Sequence, residues 1–161
     1  MNDKALVVID LQNDITKNYK DIIGNVNCAI DRAVKGKMHV VYVRHNSVTA
    51  GTRTFKEGTR GADFVPEMKI VSNNVFVKTK ASATTNEEFV KFFKDNDIKE
   101  IFVAGADATA CVKSTCYNLV KLGFSVCVLS DCITSYDKTK IPEMLDYYQS
   151  KGCKIATSNG L

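Results

Sequence analysis

Ile101-Phe102-Val103-Ala104-Gly105-Ala106-Asp107-Ala108-Thr109-Ala110-Cys111-Val112-Lys113-Ser114-Thr115 joins an apolar run to a segment of helical spacing. Ile101–Ala104 is short, continuously apolar and free of charge, as a strand buried on both faces is. Gly105 ends it, a turn of small residues follows, and Val112–Leu122 has the spacing of a helix with one buried side. Strand, tight turn and helix in succession form the repeating unit of a parallel α/β sheet. Cys111 falls where the helix begins. Unpaired N–H groups and a partial positive charge gather at such a position. They favour a thiolate and are expected to lower the thiol pKa, which makes Cys111 the candidate nucleophile.

The same alternation extends in both directions. Lys4–Ile9 reads as a buried strand, residues 21–34 as a one-sided helix stopped by Gly36, and Met38–Val43 as a second strand. Arg44–Met68 is long and polar, with Gly51, Gly58, Gly61 and Pro66, and reads as a loop over one end of the sheet with a short helical turn. Val75–Val77 is a third strand. Asn86 has the chemistry of an N-cap, with Glu87 and Glu88 in the first turn of a helix reaching about Asn96. Phe124–Leu129 is a fifth strand, Ile141–Ser150 a helix with Pro142 in its first turn, and Lys154–Ala156 a last short strand. The expected fold is α/β, a three-layer α/β/α arrangement around a mostly parallel, roughly six-stranded sheet, in one domain over residues 1–161.

The composition restricts the classes of function. The 161 residues are 45% hydrophobic and 25% charged, with a net charge of +4. The lysines are spread among acids rather than gathered in a block, which argues against nucleic acid as the partner. No apolar run reaches the roughly 20 residues that cross a bilayer. Ala5–Ile9 is too short for the apolar core of a signal peptide, so a cytoplasmic protein is expected. The six cysteines are read as reduced, and most of them as small buried hydrophobes. No Cys-x-x-Cys pair exists and the only histidines are His39 and His45, so no metal and no cofactor is expected.

Ligands of open parallel sheets bind beyond the carboxyl ends of the strands. Those ends carry Asp10, Lys78 and Cys111: an acid, an amine and a thiol. A carboxylate can accept a thiol proton, a thiolate can attack a carbonyl carbon, and an ammonium can hold the charges in place. Cys116 is the rival thiol, Lys80 the rival amine, and Asp14 and Asp107 the rival acids.

At these residues the chain resembles the isochorismatase-like cysteine hydrolase family. Ala5–Asp14 resembles that family's opening strand and acid, Val103–Val112 its nucleophile motif, and Lys78 with Ser82-Ala83 its lysine motif. Phe55-x-x-Gly58-x-x-Gly61, Pro66-Glu67, Gly123-Phe124 and Asp131 add to the likeness. The resemblance implies a Rossmann-like fold and a catalytic triad of Asp10, Lys78 and Cys111. It also implies a cis peptide between Ala106 and Asp107, and an oxyanion hole from the backbone N–H groups of Asp107 and Cys111. Gln12, Asn13 and His45 are candidates to bind substrate. Relatives form dimers or larger rings, so a homo-oligomer is expected. Two departures stand out. Thr84 occupies a place where the family often has an aromatic residue, which is expected to reshape the pocket. The Asp-x-His element that holds the metal of the nicotinamidase branch is missing.

The expected activity is hydrolysis of a small molecule, at an amide C–N bond, through a Cys111 thioester. Cleavage of an isochorismate-type vinyl ether is the enzymatic alternative. A receiver-like signalling domain and a catalytically inactive binding subunit are the non-enzymatic ones.

Overall fold

A computed structural model describes residues 2–161. Six strands form one parallel sheet: β1 (Lys4–Ile9), β2 (His39–His45), β3 (Val75–Lys78), β4 (Glu100–Gly105), β5 (Ser125–Ile133) and β6 (Lys154–Ala156). Their spatial order is β3-β2-β1-β4-β5-β6. The chain works outward from β1 in one direction and from β4 in the other, so the order reverses between these two central strands. A crevice opens at the carboxyl ends of the strands where such a reversal occurs.

Alternation within the strands separates two cores. Ala5, Val7, Ile9, Val41, Val43, Val103 and Val128 face one side with Phe89, Phe93, Val112, Leu119, Met144 and Tyr148. Those partners come from α2 (Glu87–Asp95), α3 (Cys111–Lys121) and α4 (Ile141–Ser150). Leu6, Val8, Val40, Tyr42, Phe102 and Ala104 face the other side, where α1 (Ile23–Lys35) supplies Val26, Ala29, Ile30 and Ala33. Val65 and Met68, from the long connection between β2 and β3, complete this second core. The three layers are therefore unequal: three helices cover one face, and one helix plus a loop covers the other. Among the described residues no helix is long and apolar enough to cross a membrane.

Several element ends differ from the sequence reading for local reasons. α1 begins at Ile23 because a 3-10 turn at Lys17–Asp21, capped by the Thr16 hydroxyl, takes the residues before it. Gly36 follows α1 without using its freedom, with φ −81°, and Lys37 takes the left-handed conformation instead. β2 runs on to His45 because Arg44 and His45 pair with Val77 and Lys78. β5 passes its polar Ser130-Asp131 through a register shift and pairs Ile133 with Gly105. Its polar groups are satisfied at the far end of the chain, Ser130 Oγ by the Ala156 carbonyl and the Asp131 carboxylate by Ser158. The connection between β2 and β3 contains only one short 3-10 turn, Arg60–Ala62.

Candidate active site

β1 and β4 pair along their whole length, from Lys4 opposite Glu100 to Ile9 opposite Gly105. Gly105 has φ +121°, and a Cβ there would stand 2.1 Å from the Ile9 carbonyl oxygen. Only glycine lets the chain leave β4 this close to β1. The turn that follows is tied down at once, because the Ala106 amide donates to the Ile9 carbonyl at 2.9 Å. Asp10 turns off β1 with φ +54°, a conformation Asp tolerates better than most residues. The acid and the thiol are thereby brought over the same two strand ends.

Lys78 comes from the sheet edge on the other side of β2, in register with His45. Its side chain is fully buried, and its Nζ lies 2.9 Å from Asp10 Oδ2. The same Nζ lies 3.3 Å from Cys111 Sγ and 3.0 Å from His45 Nδ1. An ammonium has three N–H donors, and here each has an acceptor. Asp10 Oδ1 has no hydrogen-bond partner among the described residues.

The electrostatics follow from burial. Desolvation raises the Asp10 pKa, and the Lys78 charge opposes it. The Cys111 thiol is pushed up to about 11, by burial first and the Asp10 carboxylate second, with Lys78 pulling the other way. This corrects the expectation that the helix start lowers the thiol pKa: a partial charge at a helix end is outweighed by desolvation and a full negative charge. His45 is lowered to about 4 by burial and by Lys78, so its ring is neutral at physiological pH.

The turn between Gly105 and α3 is almost fully hydrogen-bonded. The amides of Ala108, Ala110 and Val112 donate to the carbonyls of Thr134, Asp107 and Asp107, and that of Thr109 donates to Asp107 Oδ1. Among the described residues, the Asp107 and Cys111 amides have no acceptor. The Ala106–Asp107 peptide is cis. Asp107 spends its carboxylate on the Thr109 amide and hydroxyl and on the Tyr136 amide.

The other candidates fall elsewhere. Gln12 is fully buried and braces the backbone: its Nε2 donates to the His45 and Ala62 carbonyls, and its Oε1 accepts from the His45 amide. Asn13 Nδ2 donates to the Arg60 carbonyl. Both side chains tie the β2–β3 connection to the end of β1. Cys116 is buried inside α3, and Lys80 is exposed. Thr84 lines a groove of about 610 Å³ with Glu87, Lys91, Asn118 and Leu122, between α2 and α3. None of the three reactive residues lines that groove. Sequence reasoning missed two braces, Thr115 Oγ1 accepting from the Ala83 amide and the Tyr148 hydroxyl donating to the Ala108 carbonyl. A hydroxyl in an otherwise apolar helix stripe was the available signal for each.

Among the described residues no group of three His, Cys, Asp or Glu side chains could hold a metal ion. His45 Nδ1 is engaged by Lys78. β2 ends in Arg44-His45, so the second acidic strand end of a receiver domain is missing as well.

The isochorismatase domain model matches residues 4–160. An isochorismatase family protein of Bacillus subtilis is 26% identical over 140 residues, covering 81% of this chain and 78% of its own. A pyrazinamidase of Pyrococcus horikoshii, in complex with zinc, superposes with a TM-score of 0.88 at 23% identity, over 97% of this chain and 99% of that one. A cysteine hydrolase of Pseudomonas syringae superposes with a TM-score of 0.89 at 17% identity, over 99% and 92%. Likeness at these identities shows the fold; the family model, matching nearly every residue, shows that the chain belongs to the isochorismatase-like hydrolase family.

Proposed function

We propose that this chain is a cysteine hydrolase that cleaves the amide C–N bond of a small molecule through a thioester on Cys111. The observation that carries the reading is one buried ammonium, Lys78, touching both the Asp10 carboxylate and the Cys111 sulfur. The amide activity of the pyrazinamidase of the same fold is consistent with it.

In the resting site the thiol keeps its proton, Asp10 is the carboxylate and Lys78 the ammonium. As the sulfur attacks the carbonyl carbon, the thiol proton passes to Asp10, whose Oδ1 is free to accept it. The carbonyl oxygen becomes an oxyanion, and the unpaired amides of Asp107 and Cys111 are the donors within reach. Asp10 then returns its proton to the leaving nitrogen, the C–N bond breaks and a thioester remains. Water attacks that thioester, giving one proton to Asp10. Collapse releases the carboxylic acid and returns the proton to sulfur. Lys78 stays charged throughout and offsets whichever of Asp10 and Cys111 is negative.

A panel of small primary amides assayed for ammonia release tests this reading. Turnover of at least one amide is expected, with a loss of about three orders of magnitude or more in Cys111→Ala. Iodoacetamide should alkylate Cys111. Labelling of Cys116 with Cys111 untouched, or full turnover by Cys111→Ala, would overturn the assignment.

A further inference from the structure

The reactive groups account for only two of the three donors on Lys78. A third N–H left unpaired at full burial would carry the whole desolvation penalty of a charged donor. His45 meets it. The imidazole can accept only if it is neutral, with its proton on Nε2. Burial and the Lys78 charge keep it so down to about pH 4, and a backbone hydrogen bond at Lys80 engages the ring as well. The titratable groups around the ammonium are thus Asp10, Cys111 and His45.

The imidazole is itself held. The Phe55 ring meets it edge-on, with centroids 5.7 Å apart and planes at 87°. Phe55 lies in the long β2–β3 connection and adopts φ +55°, an outlier for a bulky aromatic residue. Its amide is pinned by Asp14 Oδ2 at 2.8 Å. Asp14 in turn donates its own amide to the Gly61 carbonyl at 2.9 Å. Gly61 lies so close that a Cβ there would be 2.0 Å from the same carboxylate oxygen. A line of contacts therefore runs from the end of β1, through the loop and back to the site.

We propose that His45 is a positioning residue for Lys78: its Nδ1, seated by the Asp14–Phe55 clamp, fixes the ammonium between Asp10 and Cys111. The proposal rests on the cysteine-hydrolase reading for its consequence, and on geometry alone for the contact. It also gives His45 a task other than touching substrate.

Two measurements test it. The first is the rate of Cys111 alkylation by iodoacetamide as a function of pH in the wild type, His45→Leu and His45→Gln. In His45→Leu the neutral-pH rate should fall about tenfold, the worth of one hydrogen bond to a charged group. The midpoint of its pH profile should rise by about one unit. His45→Gln restores an acceptor oxygen and should recover most of the rate. A His45→Leu profile equal to the wild type, or a His45→Gln variant as slow as His45→Leu, overturns the proposal while leaving the cysteine-hydrolase reading intact. The second is the NMR titration of the His45 ring, assigned by its loss in His45→Gln, which needs no reactive cysteine and no turnover. The ring should stay neutral to about pH 4 in the wild type. It should titrate higher in Lys78→Met. Titration of wild-type His45 near its ordinary value of about 6.5 means the contact is absent and defeats the proposal. An unreactive wild-type Cys111 defeats the hydrolase reading instead.

Discussion

Replacing Lys78 by methionine keeps the length of the side chain and removes its charge. The consequence falls on Asp10. The two side chains are 0% and 3% exposed, so solvent does little to screen the carboxylate. Removing one member of a buried ion pair destabilises by about 3–5 kcal/mol, because the other charge is left without a partner. Asp10 can escape that penalty only by taking up a proton. Burial already raises its pKa against the opposing pull of Lys78, and without Lys78 the rise is larger.

The sign of the pH dependence follows. A carboxyl whose folded pKa lies above its unfolded value holds more protons folded than unfolded between the two. Stability therefore falls as pH rises through that window, and recovers as pH falls toward the unfolded value near 3.8. The deficit of Lys78→Met against the wild type should be largest above neutrality and shrink on acidification, by about 1.4 kcal/mol for each unit of additional pKa rise. Urea unfolding of the wild type, Lys78→Met, Asp10→Asn and the double variant at about pH 5 and about pH 8 measures this. The double variant carries no bare charge, and at the higher pH it should be more stable than Lys78→Met. A deficit that does not change with pH, or a double variant as unstable as Lys78→Met, would show that Asp10 is not left as an unpaired buried charge.

Gly105→Ala should destabilise by about 3 kcal/mol, from a left-handed backbone and the overlap of its Cβ with the Ile9 carbonyl; a thermal melt within a degree of the wild type would contradict it. Gln12→Ala leaves the carbonyls of His45 and Ala62 and the amide of His45 unpaired in a buried place. It should lower stability by about 2–3 kcal/mol in urea unfolding, and an unchanged midpoint would mean that water takes over the role of the amide.

The alternation of buried strands and one-sided helices was legible because a parallel sheet covered on both faces needs continuous apolar runs, and those runs are short and well separated here. Element ends were legible only where a local cap decides them, as with Asn86 before α2, whose side chain accepts from the Glu88 amide. They were not legible where a neighbour decides them. The two extra residues of β2 exist because β3 offers partners, and the polar end of β5 is a strand because Ala156 and Ser158 receive its side chains. The roles of the pocket candidates were opaque for the same reason. Gln12, a candidate to bind substrate, braces backbone groups that lie 33 and 50 residues away in sequence.

The reactive set divides the same way. The residue types and their positions at strand ends are local matters: Asp10 after β1, Lys78 closing β3, Cys111 opening α3. Gly105 is local as well, since the close exit from β4 needs a residue without a side chain. Taken alone, the sequence determined an α/β fold and a thiol, an acid and an amine at one edge of its sheet. What charge those groups carry is not local. A cysteine at a helix start is expected to ionise readily, yet this one is raised to about 11 because it is buried beside a carboxylate. A histidine with an ordinary sequence context stays neutral because it is buried, and buried beside the ammonium of a lysine from the next strand. Desolvation and pairing depend on which groups surround a side chain in space, and only the tertiary structure decides that.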